Sequence, residues 1–212
     1  MTDKTLAKLD FKTRDRAFYT GKPGRWDRLT LPEMTFLTIE GQGDPDGPSY
    51  AAALSALYPL AYTIKFDRKA RGADFTVPPL EALWWADDPV AFTTGDRAAW
   101  RWQAMIRMPD DVTESALAAA RAAVRAKGKS GPFDAVTRVL LTEGDCLQAL
   151  HLGPYSAEAP VLARLHDEIM PGAGLDFAGP HHEIYLSDPR KTPAEKLRTI
   201  LRQPVRSTLS PA

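Results

Sequence analysis

The chain has 212 residues, enough to bury one sizeable core or two small fused units. Its 27 Lys and Arg balance 27 Asp and Glu, so no net charge draws it toward nucleic acid or an anionic membrane surface. Met1 to Asp10 holds no apolar signal core, no run approaches the roughly 20 apolar residues that span a bilayer, and the lone Cys146 forms no intrachain disulfide, so a cytoplasmic protein is expected.

In chain order, residues 1–33 read as an irregular lead-in pinned by Phe11, Phe18, Tyr19 and Trp26. Met34 to Gly43 alternates as a first strand, and the Gly- and Asp-rich 41–47 stretch forces a turn. Asp46 stands where a dinucleotide fingerprint needs its third Gly, so that motif is absent. Ser49 is placed to cap a helix through Ala51, Leu54, Leu57 and Tyr58 that Pro59 should end or kink. Strands are expected at Tyr62–Arg68, Leu80–Ala86 and Trp100–Met108. An Ala-rich helix then spans 114–127, capped by Asp111 or Thr113 and stopped by Gly128.

The second half repeats this outline. Val136–Leu141 and Cys146–Leu152 read as strands joined in a hairpin at Glu143-Gly144-Asp145. Ser156 then caps a helix with Val161, Leu162, Leu165 and Ile169 on one face, ended by Pro171. The strand His181–Ser187 follows, and Thr192-Pro193-Ala194-Glu195 has the form of a capping box opening a last helix through Leu197, Ile200 and Leu201. The repeated order strand, Gly turn, Tyr, helix, strand predicts an α+β fold. Its two strand-helix-strand-strand modules, 34–130 and 131–205, would be related by a pseudo-twofold axis, with a ligand groove between them. Residues 206–212 form a tail.

Alternation in the last predicted strand puts Ile184 and Leu186 on one face, and Glu183 and Tyr185 on the other. A carboxylate and a phenol two residues apart on a rigid strand are a candidate ligand-handling pair; the alternative is a polar face that simply meets water. Trp84, Trp85, Trp100 and Trp102 crowd nineteen residues. Two of them suffice for a core, and the rest would line a flat slot for planar apolar or cationic molecules with Tyr62, Tyr155 and His151. His181, His182 and Glu183 lack metal-ligand spacing, and neighbours in a strand point to opposite faces, so no metal is expected, and no cofactor. Gly128-Lys129-Ser130 follows a helix rather than a Gly-rich turn, which excludes a P-loop.

Taken jointly, Leu80-Glu81-Ala82-Leu83-Trp84-Trp85, Trp102 to Pro109, Glu143-Gly144-Asp145-Cys146 through Gly153-Pro154-Tyr155, His182-Glu183-Ile184-Tyr185-Leu186-Ser187-Asp188-Pro189 and Leu197 to Val205 resemble the stand-alone GyrI-like small-molecule-binding family over nearly the whole chain. The resemblance implies a GyrI-like fold in which a buried Glu at the position of Glu183 meets planar cationic drugs between aromatic rings. It also implies, through members that hydrolyse cyclopropane-bearing DNA-alkylating compounds, a detoxifying hydrolase with Glu183 as general base and Tyr185 as its partner. A non-catalytic drug-binding or sensing protein is the alternative. Expected partners are small hydrophobic, planar or cationic ligands, with no nucleic acid and no membrane, for a monomer or weak homodimer. The DNA-binding helices of regulatory relatives have no counterpart here.

Overall fold

The computed structural model describes residues 8–88 and 90–208. Its strands are β1 (Asp27–Leu31), β2 (Met34–Gln42), β3 (Glu81–Trp85), β4 (Arg101–Arg107), β5 (Thr137–Leu141), β6 (Gly144–Leu152), β7 (Leu175–Phe177), β8 (His181–Tyr185) and β9 (Arg198–Ser207). Helices are α1 (Phe11–Arg14), α2 (Pro48–Ala70), α3 (Val90–Thr94), α4 (Glu114–Ala126), α5 (Ala159–Arg164) and α6 (Met170–Gly172), with a π-helical stretch Leu165–Ile169 joining the last two. Contacts group these elements into two α+β units, Met1–Arg16 with Met34–Leu141, and Ala17–Glu33 with Thr142–Ala212.

The first unit is an antiparallel sheet ordered β5-β2-β4-β3. Helix α2 packs on it through Tyr50, Ala53, Ala56, Leu57, Leu60, Ala61 and Ile64, a stripe at helical spacing. That stripe carries the helix through Pro59 and absorbs Tyr62–Arg68, expected above as a strand. Proline withholds a single N–H, a loss smaller than the burial of two further apolar turns. Helix α4 forms as predicted: the Thr113 hydroxyl accepts from the Ala116 N–H at 3.3 Å, and Gly128 takes the left-handed conformation (φ +72°) at its end. The lead-in is tied down by Arg107, which lies 4.5 Å above the Phe11 ring and pairs with Asp15 at 2.8 Å.

The second unit is a sheet ordered β1-β6-β9-β8, with β7 pairing the far end of β9. Three expectations fail here. Residues 27–31 of the supposed irregular lead-in form β1, because Leu29 and Leu31 alternate with Arg28 and Thr30. Strands β5 and β6 make no hairpin: β5 pairs with β2, and β6 with β1 and β9. The supposed last helix is a 3₁₀ turn, Ala194–Lys196, followed by the ten-residue strand β9. The capping-box residues serve only that turn. Residues 199–205 are buried on both sides, as a central strand between two neighbours must be.

One face of this sheet meets the helical segment, where Leu147 and Val205 pack on Leu165, Met170 and Leu175. The opposite face buries a polar network. Arg202, 1% exposed, donates to Gln148 Oε1 at 2.8 and 3.0 Å, to the Phe18 carbonyl at 2.8 Å and to Glu143 Oε2 at 3.1 Å. His182 Nδ1 lies 2.9 Å from the other Glu143 oxygen, and Gln148 donates to the carbonyls of Ala17 and Thr20. Residues 17–20 thus seal this face through their backbone.

Two stability outcomes follow from these cores. Gly41 lies against the Trp102 indole so closely that a Cβ would stand 2.2 Å from a ring carbon. Gly41→Ala should lower the unfolding free energy by roughly 1–3 kcal/mol through overpacking, read as a reduced urea midpoint. Burial alone would raise the Glu143 carboxyl, but His182 and Arg202 outweigh it and hold the group at about 2. The stabilisation is present above the unfolded value near 4.5 and is lost as pH falls toward the folded value. Glu143→Gln should flatten the acid limb of stability between those values while costing on the order of 3 kcal/mol at neutral pH.

Candidate functional site

The site is built on the helix-side face of the second unit's sheet. Cross-strand pairing sets His151 opposite Thr199, Thr199 opposite Tyr185, and Leu201 opposite Glu183, so these side chains share one face. His181 joins them, two residues before Glu183 on β8. Gly153-Pro154 turns the chain into the 3₁₀ turn Tyr155–Ala157, and Glu158 then occupies the position before α5. The helix therefore starts at Glu158 rather than at Ser156, the residue expected to cap it.

Glu158 and Glu183 hydrogen-bond each other, and the Tyr185 phenol donates to Glu183. Glu158 is 5% exposed and the Glu183 side chain 14%. Burial is the largest influence on both and pushes both well above the ordinary carboxyl range, Glu158 further because the Glu183 charge acts on it. Two carboxyls in one dry site hold a proton between them at neutral pH. The groups that act on Glu183 are carboxyl, phenol and imidazole, with no Lys or Arg among them. The Thr199 hydroxyl sits beside Glu158 and favours its ionised form. Even so, Thr199 Oγ1 and Glu158 Oε1 are both buried with no well-formed hydrogen bond to protein.

Tyr155 meets Tyr185 edge to face, with ring centroids 5.6 Å apart, and is 39% exposed. Burial and the nearby carboxyls push its phenol up to about 12, so it stays protonated. His151, 6% exposed, has Nε2 at 3.1 Å from the Pro154 carbonyl, which fixes the turn that delivers Tyr155. Sequence reasoning thus placed Glu183, Tyr185, Tyr155 and His151, which the fold does bring together. It missed Glu158, whose one signal was a carboxylate three residues after Tyr155.

Trp84, Trp85, Trp100 and Trp102 lie in the first unit, while Trp26 packs on the helix-side core of the second. Trp102 is 1% and Trp84 7% exposed, with Tyr50 stacked on Trp84 at 5.7 Å and edge-on to Trp102 at 4.9 Å. Trp100 is half-buried, meets Trp84 at 6.0 Å and Phe92 at 5.2 Å, and donates its N–H to the Ala91 carbonyl at 3.2 Å. Trp85 is half-buried and points to the face opposite Trp84. Tyr62 is 44% exposed on the outer side of α2, in a surface groove with Tyr58, Phe66 and Val124. Among the described residues no cluster of three or more His, Cys, Asp or Glu could hold a metal, and no helix is long and apolar enough to cross a membrane.

Raised carboxyl values carry a linkage of opposite sign to that of Glu143. The pair is most favourable to folding below the unfolded value near 4.5, and this contribution is lost as pH rises through the raised folded values. Glu158→Gln removes the group that resists ionisation most. Melting temperature followed from pH 6 to 9 should fall less steeply in that variant than in the wild type.

Relatives of known structure share this framework. An uncharacterized conserved protein from Listeria innocua is 42% identical with a TM-score of 0.87, covering 94% of this chain and 100% of that one. A hydrolase from Listeria innocua is 41% identical with a TM-score of 0.82, at the same coverage. The C-terminal domain of EcmrR, 12% identical with a TM-score of 0.54, covers 86% of this chain and 98% of that one and shares the fold alone. No functionally curated protein matches the chain. The profile of the GyrI-like small molecule binding domain matches residues 28–206, most of the chain. With that span and those relatives, the chain belongs to the GyrI-like small molecule binding domain family.

Proposed function

We propose that this protein is a hydrolase of hydrophobic, planar small molecules, acting on cyclopropane-bearing genotoxic compounds as a cytoplasmic detoxifying enzyme. The observation that carries the reading is the proton-sharing Glu158–Glu183 pair beside Tyr185. A carboxylate raised toward neutrality is a better base than an exposed one, and it stands next to a group that stays neutral. The 41%-identical hydrolase of Listeria innocua supports the reaction class.

Glu183 takes a proton from water as the water oxygen bonds to the strained ring carbon. The cyclopropane C–C bond breaks, and its electron pair enters the conjugated dienone, which becomes a phenolate. As Glu183 takes that proton, the Tyr185 O–H is released from the carboxylate and turns to donate to the developing oxyanion. The proton on Glu183 then returns to the phenolate through solvent, leaving a ring-opened alcohol and a regenerated base. Glu158, held neutral, hydrogen-bonds Glu183 and fixes its orientation.

A second reading, a non-catalytic binder of cationic planar drugs, is favoured by one feature: Glu183 is buried with no Lys or Arg acting on it, and a ligand cation would supply the countercharge. Single-turnover hydrolysis of a neutral cyclopropyl-dienone, measured beside its affinity, separates the two. Glu183→Gln should cut the rate by about 10² or more with affinity nearly unchanged. The wild-type rate should rise with pH through the raised value of Glu183. An unchanged rate in the Gln variant, with selective loss of cationic ligands, would favour the binder.

A further inference from the structure

Along β8 the residues that share the site's face are Tyr185, Glu183 and His181, two residues apart each time and so spanning roughly 13 Å. The helical segment above repeats the order: Tyr155 faces Tyr185, Glu158 faces Glu183, and His166 lies near His181. The phenols therefore mark one end of a row, the carboxyls its middle and the imidazoles the other end. The phenol and carboxyl pairs are bonded or packed within themselves. The imidazole end is not.

His181 has a side chain 12% exposed, and its ring nitrogens are buried without a well-formed hydrogen bond, although the Arg202 backbone lies near enough to favour the protonated ring; His166 Nε2 is likewise unmatched. The nearest carboxyl oxygen, Glu183 Oε1, stands 3.7 Å from His181 Nε2, beyond hydrogen-bonding reach. A neutral imidazole has one N–H and one lone pair, and leaving either poorly matched in a dry site costs stability. Burial holds both imidazoles in the neutral form, so neither is a cation waiting for an anion. His166 sits on the π-helical stretch, a local widening of the helix that is frequent at functional sites. On the opposite face of this sheet, by contrast, Arg202 donates to Gln148, Glu143 and the Phe18 carbonyl.

We propose that His181 is a ligand-recognition residue, whose neutral ring accepts from and donates to an uncharged amide, hydroxyl or carbonyl group of a planar ligand lying next to Glu183. The inference rests on the small-molecule reading of the site but not on hydrolysis. It narrows the ligand class to planar molecules that carry a neutral hydrogen-bonding group, and it assigns His166 to the wall behind that group.

The test uses the full chain and two probes of matched shape, naphthalene-2-carboxamide and 2-methylnaphthalene, with affinities from fluorescence titration and melting temperatures without ligand. Wild type should bind the carboxamide at least tenfold more tightly than the hydrocarbon. His181→Phe should erase that preference and leave the ligand-free melting temperature equal or higher, because it removes unmatched polar atoms rather than a structural bond. His181→Gln, which keeps a donor and an acceptor, should retain most of the preference. A melting temperature several degrees lower in His181→Phe, or an unchanged preference in a folded His181→Phe protein, would overturn the proposal alone. Wild type binding neither probe would overturn it together with the small-molecule reading, so the two failures are distinguishable.

Discussion

The second unit is organised around the Arg202 guanidinium. A buried cation is expensive unless every donor is answered, and here two side chains and a backbone carbonyl answer it from β6, the residues just before it and the lead-in. A one-residue slip of β9 would turn Arg202 to the helix side and leave Glu143 and Gln148 without their partner. The network therefore fixes register, and register fixes the site. With Arg202 pointing one way, Thr199 and Leu201 must point the other, and their cross-strand partners Tyr185 and Glu183 with them.

The two units use one arrangement for opposite purposes. Pairing aligns Gly41, Trp102 and Trp84 across the first sheet as it aligns His151, Thr199 and Tyr185 across the second. Ala82, opposite Ala104, then corresponds to Glu183, opposite Leu201. In the first unit Gly41 makes room for an indole, and the indoles with Tyr50 fill the space between helix and sheet. In the second unit no tryptophan occupies the matching positions. Hydroxyl, phenol, imidazole and carboxyl groups stand there instead, several with buried atoms that no protein group satisfies. Equivalent strand positions are thus filled by indoles in one unit and by polar groups in the other.

That division has an electrostatic counterpart. Glu143 and the Glu158–Glu183 pair belong to the same unit, yet their environments move them in opposite directions. Glu143 lies between an imidazole and a guanidinium and is held at about 2, so its charge stabilises the fold. Glu158 and Glu183 have burial and each other, so their charge opposes it. The strain at the pair is tolerable because the far face of the same sheet is so fully bonded. It also brings the titration of Glu183 nearer to neutral pH than that of an exposed carboxyl.

Much of this was legible in the sequence, because the relevant signals are local. Period-two alternation put Glu183 and Tyr185 on one face, and Thr113, Gly128 and the Ala-rich run bounded α4. The joint motifs carried the family. Tertiary structure alone decided the rest. Whether Thr192-Pro193-Ala194-Glu195 opened a helix or a single 3₁₀ turn depended on a demand from both neighbouring strands for a buried central strand at 198–207. Pro59 ended nothing because the sheet beneath α2 rewarded its continuation. Glu158 lies 25 residues from Glu183, in a segment whose own pattern says only that a helix begins. A carboxyl's chemistry is set by what desolvates it and by which charge it faces, and both of those come from residues distant in the chain.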